Sequence, residues 1–225
     1  LPRQMITMRS LDLPSTDPDE IADMIDFQAA KQTPYTKEEI FTDYRIIDSD
    51  KEGYSRIMLV IVQRSVLRHR FHILEEAGLE VERMTVSSEG ILSWMRATGA
   101  VGAQPNERVA LVEVDSFYSD FMVVEGGRPI FSRSMLIGAN NLSADADAAG
   151  ARRRFVQETQ RSLELCQAEA SDGRAPGRLI LTGVGPRVVG LLNDLHGLVG
   201  LPCEGNDPLQ HVKRGERAAS PGEEC

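Results

Sequence analysis

The sequence predicts an α/β protein in two halves, and three observations predict it. Apolar runs of strand length alternate with segments whose apolar residues recur at helical spacing. A Gly/Ala/Pro-rich stretch, Thr98–Glu107 (TGAVGAQPNE), divides them. Beyond it, Arg108–Asn141 reads as three consecutive strands joined by tight turns. The predicted order is β-α-ββ-α-β-α, a linker, then βββ-α-β-α-β.

In the first half, residues 5–11 (MITMRSL) form a short strand that ends at Leu13-Pro14. Ser15-Thr16-Asp17-Pro18-Asp19-Glu20 starts a helix: it offers cap hydroxyls, an early proline and acids for the positive end of the dipole. That helix runs to about Lys31, with Ile21, Met24, Ile25 and Gln28 at helical spacing. Thr33–Thr36 breaks it, and Lys37–Ile40 adds one more turn. Phe41–Asp48 and Arg56–Gln63 are strands joined by a polar turn. Arg64–Ala77 is a helix stopped by Gly78. Val81–Val86 reads as a strand, and Ser87 or Ser88 caps a helix that reaches Ala97.

In the second half, Val109–Val114 is an apolar strand and Phe121–Glu125 a second one. Gly126-Gly127-Arg128 turns into a third, Pro129–Leu136, whose Phe131/Arg133/Met135 face differs from its Ile130/Ser132/Ser134 face. Gly138 opens a helical region, and Asn140–Gly150 is weakly structured. Arg152–Ala170 is a helix with Phe155, Thr159, Ser162, Leu163 and Cys166 on one face. Arg178–Leu181 is a strand, Thr182–Gly185 a turn, Pro186–Leu195 a helix and Leu201–Glu204 a short last strand. The expected division is 1–98, a linker at 99–107, 108–212, and a disordered polar tail at 213–225.

Composition excludes several functions. The 225 residues are 41% apolar and carry a formal net charge of −9, which opposes nucleic-acid binding because phosphate affinity needs a basic face. No apolar run approaches the ~20 residues that span a bilayer. Cys166, Cys203 and Cys225 are far apart, so reduced thiols are expected rather than a disulfide or metal site. The first residue is Leu1, so a fragment lacking its true N-terminus is expected.

Candidate chemistry gathers at two turns. Thr182-Gly183-Val184-Gly185 follows a strand and opens a helix, where glycines let a ligand approach the backbone. A tight strand–helix turn without a ligand is the commoner use of such a sequence. Glu113, Asp115 and Asp120 surround the turn Asp115–Ser119. They suit a cation or general-base site, but an ordinary acidic turn is the commoner use of such residues, since no histidine or second acidic cluster has matching spacing. Arg64, Arg68 and Arg70 make one helix basic, and Arg152-Arg153-Arg154 places cations at a helix start, against the dipole.

Several of these segments resemble the PilM-type actin-like proteins of type IV pilus assembly. The resemblance rests on Arg9–Pro14 followed by residues 17–44 (DPDEIADMIDFQAAKQTPYTKEEIFTDY), on 64–92, on 108–142, and on FVQETQRSLELCQ, RLILTGVGPRVVGLLNDL and GLPCEGNDPLQHV. It implies an actin-like (ribonuclease H-like) fold with a small α/β subdomain of the 1C/SHS2 type, akin to GspL and FtsA. Relatives bind ATP with magnesium. Their Asp-x-Gly-x-x-x-Thr strand turn falls here on Glu113, Asp115 and Ser119, and their adenosine turn on Gly183 and Gly185.

The departures bear on that site. Asp115 puts a negative charge where the family has glycine, and two like charges within a few ångströms repel by ~1 kcal/mol even in water. The segment between Gly138 and Arg152 is much shorter than the family's helical subdomain. The opening Asp-x-Gly hairpin is absent from this chain. The resemblance with these departures implies a cytoplasmic scaffold without ATP hydrolysis or cofactor, peripheral to the inner membrane, of a pilus or type II secretion-like machine. It would dock a short cytoplasmic peptide of a PilN- or GspM-like membrane protein at Arg9, Leu11, Pro14, Ile21, Met24 and Tyr35, with the motor ATPase and self-association as further contacts. The alternative is a working actin-like ATP-binding protein.

Overall fold

The structure, a computed structural model, describes residues 1–143, 147–170, 172–210 and 212. The expected tail 213–225, with Cys225, lies outside the described residues. Two sheets organise the chain, one of three strands and one of five.

The first sheet begins with β1 (Ile6–Leu13), ended by Pro14 as expected. Helix α1 (Pro18–Ala29) follows, capped by Asp17, whose carboxylate accepts from the Asp19 amide at 2.8 Å and the Glu20 amide at 3.4 Å. Asp17→Ala should therefore cost about 1 kcal/mol, seen as a lower midpoint in urea unfolding. Strands β2 (Ile40–Ser49) and β3 (Ser55–Gln63) complete an antiparallel sheet in the order β1-β3-β2. The central β3 is apolar on both faces because both are covered. Ile57, Leu59 and Ile61 meet Ile21, Ile25 and Ala29 of α1. Met58 and Val62 point the other way and cluster with Ile6, Met8 and Val86. Helix α2 (Arg64–Glu76) packs Val66 and Leu67 on that second cluster and ends before Gly78, at φ 73°.

Residues 81–86 do not form the expected strand. Their main-chain neighbour is Leu1, whose amine donates to the Thr85 carbonyl and whose carbonyl accepts from the Ser87 amide. A strand needs a ladder partner along its length, and the spaced apolar residues Met84 and Val86 serve packing instead. Helix α3 (Ser87–Ala97) starts without a side-chain cap, Val86 holding the cap position. It lies on the second sheet: Leu92 and Met95 pack with Val109, Leu111, Met122, Val124 and Ile180, and Val101 from the glycine-rich stretch joins them.

The second sheet contains β4 (Arg108–Val114), β5 (Ser119–Glu125) and β6 (Arg128–Met135), antiparallel to one another. The short α4 (Ala139–Leu142) and long α5 (Ala148–Glu169) lead to β7 (Arg178–Gly183), α6 (Leu191–Val199) and β8 (Cys203–Gly205). The order is β6-β5-β4-β7-β8, with β7 parallel to β4 and β8 parallel to β7. Alternate residues Ala110, Val112, Val114, Phe121, Val123, Leu179 and Leu181 bury one face against Phe155, Val156, Leu191 and Leu195 of the helices. Phe121 and Phe131 meet edge to face at 6.0 Å, a favoured aromatic geometry. Each such fully buried side chain contributes roughly 1.5–3 kcal/mol.

Two helix boundaries depart from expectation. Helix α5 begins at Ala148, so Arg152–Arg154 sits in its second turn rather than at its start. Arg152 and Arg154 pair there with Asp194 at 3.2 Å and Asp147 at 3.0 Å. After Gly185–Arg187, a single 3-10 turn, Gly190 at φ 82° delays the last helix to Leu191.

Candidate functional site

The two candidate turns lie side by side because β4 and β7 are parallel neighbours, with Val114 opposite Gly183. Both turns are filled by the protein itself. The Asp115 carboxylate accepts from the Ser116 amide at 2.6 Å, and the Asp115 amide donates to the Tyr118 carbonyl at 2.9 Å. The amides of Ala139 and Asn140, which open α4, donate to the Asp115 and Ser116 carbonyls at 2.8 and 2.9 Å. Gly138 is pressed onto the same turn: a Cβ there would lie 2.5 Å from the Phe117 and Tyr118 amide nitrogens. Ser119 is buried, and its hydroxyl donates to the Ile137 carbonyl at 2.6 Å.

Gly183 takes φ +71°, and a Cβ there would stand 2.4 Å from the Val114 carbonyl oxygen. Gly185 is packed against the Leu181 and Val114 side chains. The structure thus brings Glu113, Asp115, Ser119, Gly183 and Gly185 together at one end of the second sheet. The amides of Ser116, Ala139, Asn140 and Val184 at these turns are spent on Asp115 and on internal carbonyls.

Beside the turns runs a polar row that crosses the sheet. Pairing places Thr182 and Asp120 on either side of Glu113, and Ser134 beyond Asp120. Asp120 is buried and accepts from the Ser134 hydroxyl at 2.8 Å through Oδ1. Its Oδ2 and the Thr182 hydroxyl have no hydrogen-bond partner among the described residues. Burial raises the Asp120 carboxyl above its usual range, while Ser134 and Arg3 hold it down in part. Glu113 is pushed up to about 7, first by burial, then by the charges of Asp120 and Asp115. Arg3, itself buried, bonds the Ser132 hydroxyl at 3.1 Å and the Ile6 carbonyl at 3.0 Å. Arg3 was not legible as special from sequence. It joins the first sheet to β6 and supplies the cation nearest the acidic row. Among the described residues no group of three or more His, Cys, Asp or Glu is placed to hold a metal.

The residues expected to meet a partner divide differently. Arg9, Pro14 and Tyr35 are exposed. Ile21 is 0% exposed, and Leu11 and Met24 pack beside it between α1 and the sheet. Ile21 is therefore a core residue rather than a contact. The helical spacing that marked it reports burial against Ile57 and Leu59.

An open apolar groove lies instead on the opposite face of the same sheet, with a volume of about 420 Å³. Met8, Phe41, Met58 and Val60 form its floor, and Phe71 and Met84 stand at its sides. It exists because β6 and α2 cover only part of that face. Sequence offered one signal for it, the unbroken apolar run of β3, which demands cover on both faces.

Comparison with known proteins places this architecture. The family model for type IV pilus assembly protein PilM matches residues 1–147. Among solved structures, a PilM-PilN type IV pilus biogenesis complex superposes with a TM-score of 0.75 at 17% identity, covering 92% of this chain and 68% of that one. A Bacteroides thetaiotaomicron protein with an actin-like ATPase fold superposes with a TM-score of 0.51 at 13% identity, covering 90% of this chain and 65% of that one. No curated protein sequence matches. The fold is thus actin-like, and with 147 of its 225 residues under the family model the chain belongs to the PilM family of type IV pilus assembly proteins.

Proposed function

We propose that this chain is a non-enzymatic scaffold on the cytoplasmic side of a pilus machine's inner membrane. It docks a short cytoplasmic peptide of a PilN-like membrane protein. The observation that carries the reading is the open apolar groove on the first sheet. It is lined by Met8, Phe41, Met58, Val60 and Met84, and a soluble fold seldom leaves such a surface uncovered without a use for it. A relative in complex with PilN supports the class of partner. The docking surface expected on Arg9, Pro14 and Tyr35 lies on other parts of this subunit, so the two locations can be separated by mutation.

The reading without ATP turnover draws on the filled turns. Asp115 occupies the Ser116 amide, and Ala139 and Asn140 are committed to internal carbonyls. Binding of a nucleotide there would first have to break those bonds and expel a carboxylate.

Calorimetry with the N-terminal cytoplasmic peptide of the PilN-type protein tests the docking. Binding near the micromolar range is expected, about −8 kcal/mol. Phe41→Asp should abolish it and Tyr35→Ala should not. A thermal-shift titration with Mg-ATP tests the rest. A ligand at one hundred times its Kd adds about 2.7 kcal/mol of stability, so an unchanged melting curve is expected. A clear upward shift would return the protein to the ATP-binding class.

A further inference from the structure

The groove does not close on apolar residues alone. Beside it lies a second recess of about 450 Å³, lined by Arg45, Arg96, Arg128, Ile46 and the Gly126-Gly127 turn. Arg45 lines both, and Pro129 of the groove adjoins Arg128 of the recess. Three arginines thus line one recess where β2, α3 and the β5–β6 turn converge, in a chain whose net charge is −9.

Their charges are unevenly compensated. Arg45 pairs with Glu89 of α3 at 3.1 Å. Arg96 donates through Nε to the Gly127 carbonyl, which fixes its direction without neutralising it. Neither Arg96 nor Arg128 has a carboxylate partner among the described residues. Arg56, Arg108, Arg133, Arg174 and Arg178 reach Asp or Glu, while Arg64, Arg68 and Arg70 of α2 also lack a carboxylate partner among the described residues, so it is the gathering of three arginines at one recess that sets this place apart. Gathering like charges is unfavourable unless an anion joins them, and the planar fork of arginine fits a carboxylate bidentately.

We propose that Arg96 and Arg128, steadied by Arg45, read an Asp or Glu side chain on the docked segment, which is an extended apolar peptide with an acidic residue at the β5–β6 end of the groove. The inference rests on the docking reading and adds its specificity and direction. The apolar floor supplies affinity. The arginines fix which way the peptide runs and reject segments that carry a cation or only apolar groups there. A lipid headgroup would satisfy the same cations. The recess shares Arg45 with a groove shaped for a chain, and the protein's negative charge opposes an anionic membrane.

The test uses the whole chain and a fluorescently labelled N-terminal cytoplasmic peptide of the PilN-type protein, followed by anisotropy. Arg96→Glu with Arg128→Glu should weaken binding at least tenfold. The same peptide with Asp and Glu replaced by Asn and Gln should lose a similar factor on the native chain and nothing further on the double variant. Phe41 is 48% exposed, so Phe41→Asp leaves the fold intact and reports the groove alone.

If Phe41→Asp abolishes binding while the arginine variant and the amide peptide bind as the native pair does, the arginine inference is overturned and docking stands. If none of these changes matters, docking in this groove is overturned too. A partner peptide without any Asp or Glu overturns the inference at once. So does Arg96- and Arg128-dependent binding to phosphatidylglycerol vesicles over phosphatidylcholine ones with the amide peptide unaffected.

Discussion

Gly183→Ala should destabilise the protein by about 2–5 kcal/mol, with no ligand involved. Two costs add. The residue sits at φ +71°, where an L side chain costs roughly 1–2 kcal/mol. The new Cβ would stand 2.4 Å from the Val114 carbonyl oxygen, a backbone atom that also accepts from the Val184 amide at 2.9 Å. Backbone cannot swing aside as a side-chain end can, so overpacking adds about 1–3 kcal/mol. Gly185→Ala is the control. Its Cβ would meet the buried Leu181 and Val114 side chains at 2.8–2.9 Å rather than a backbone atom, and its backbone is not in the left-handed region. It should cost about 1–3 kcal/mol. Urea unfolding of both variants measures the difference. Equal losses, or a loss at Gly183 below 1 kcal/mol, would mean that the turn is looser than its packing on β4 implies. A large loss at Gly183 explains this glycine by strand packing alone, without appeal to a nucleotide.

That outcome bears on what a sequence can disclose. Gly183 and Gly185 stand out at once as glycines between a strand and a helical turn. The atom that forces Gly183 to be glycine is the carbonyl of Val114, far away in sequence, and only the parallel β4–β7 pairing brings it near. Asp115 is legible as a charge in a glycine's place. Its folding back onto the Ser116 amide is not, because that depends on the local path of the turn. The strands from 108 to 125 are legible because their near-continuous apolar runs match a sheet covered on both faces.

Residues 81–86 have a strand's pattern and no strand. Propensity and alternation describe a segment, while a ladder needs a neighbour. The groove is hidden for a related reason. Met8, Met58 and Val60 read as core, and whether a covered face is wholly or partly covered depends on where β6 and α2 come to rest. The resemblance puts Ile21 and Met24 in the docking surface, but their helical spacing on α1 marks the face that a helix buries.

Glu113→Gln should stabilise the protein at pH 8 and have almost no effect near pH 4.5. Glu113 faces Asp120 across the β4–β5 pairing and Thr182 across the β4–β7 pairing, with Asp115 at the adjoining turn and Arg3 on the far side of Asp120. Burial first, then Asp120 and Asp115, raise its carboxyl from 4.5 to about 7. The folded chain therefore holds a proton that the unfolded chain releases between those two values. Below pH 4.5 both states are protonated and the residue costs nothing electrostatically. As pH rises through the window, stability falls by about 1.4 kcal/mol per pH unit, reaching a loss of about 3 kcal/mol above pH 7.

Glutamine keeps the shape, carries no charge and offers N–H donors toward Asp120, whose Oδ2 lacks a partner among the described residues. Unfolding free energies of the native chain and the variant should diverge from pH 5 to pH 8, with the variant higher. A difference that does not change with pH would show that Glu113 is solvated as an ordinary surface carboxylate. A variant less stable at every pH would show that the ionised carboxylate holds the row together. The expected divergence means instead that the acidic row is a strained part of the second sheet at neutral pH, tolerated because Arg3 and Ser134 share the charge of Asp120. It also separates burial from ligand binding as the origin of the raised carboxyl, since nothing but the protein's own groups is needed to produce it.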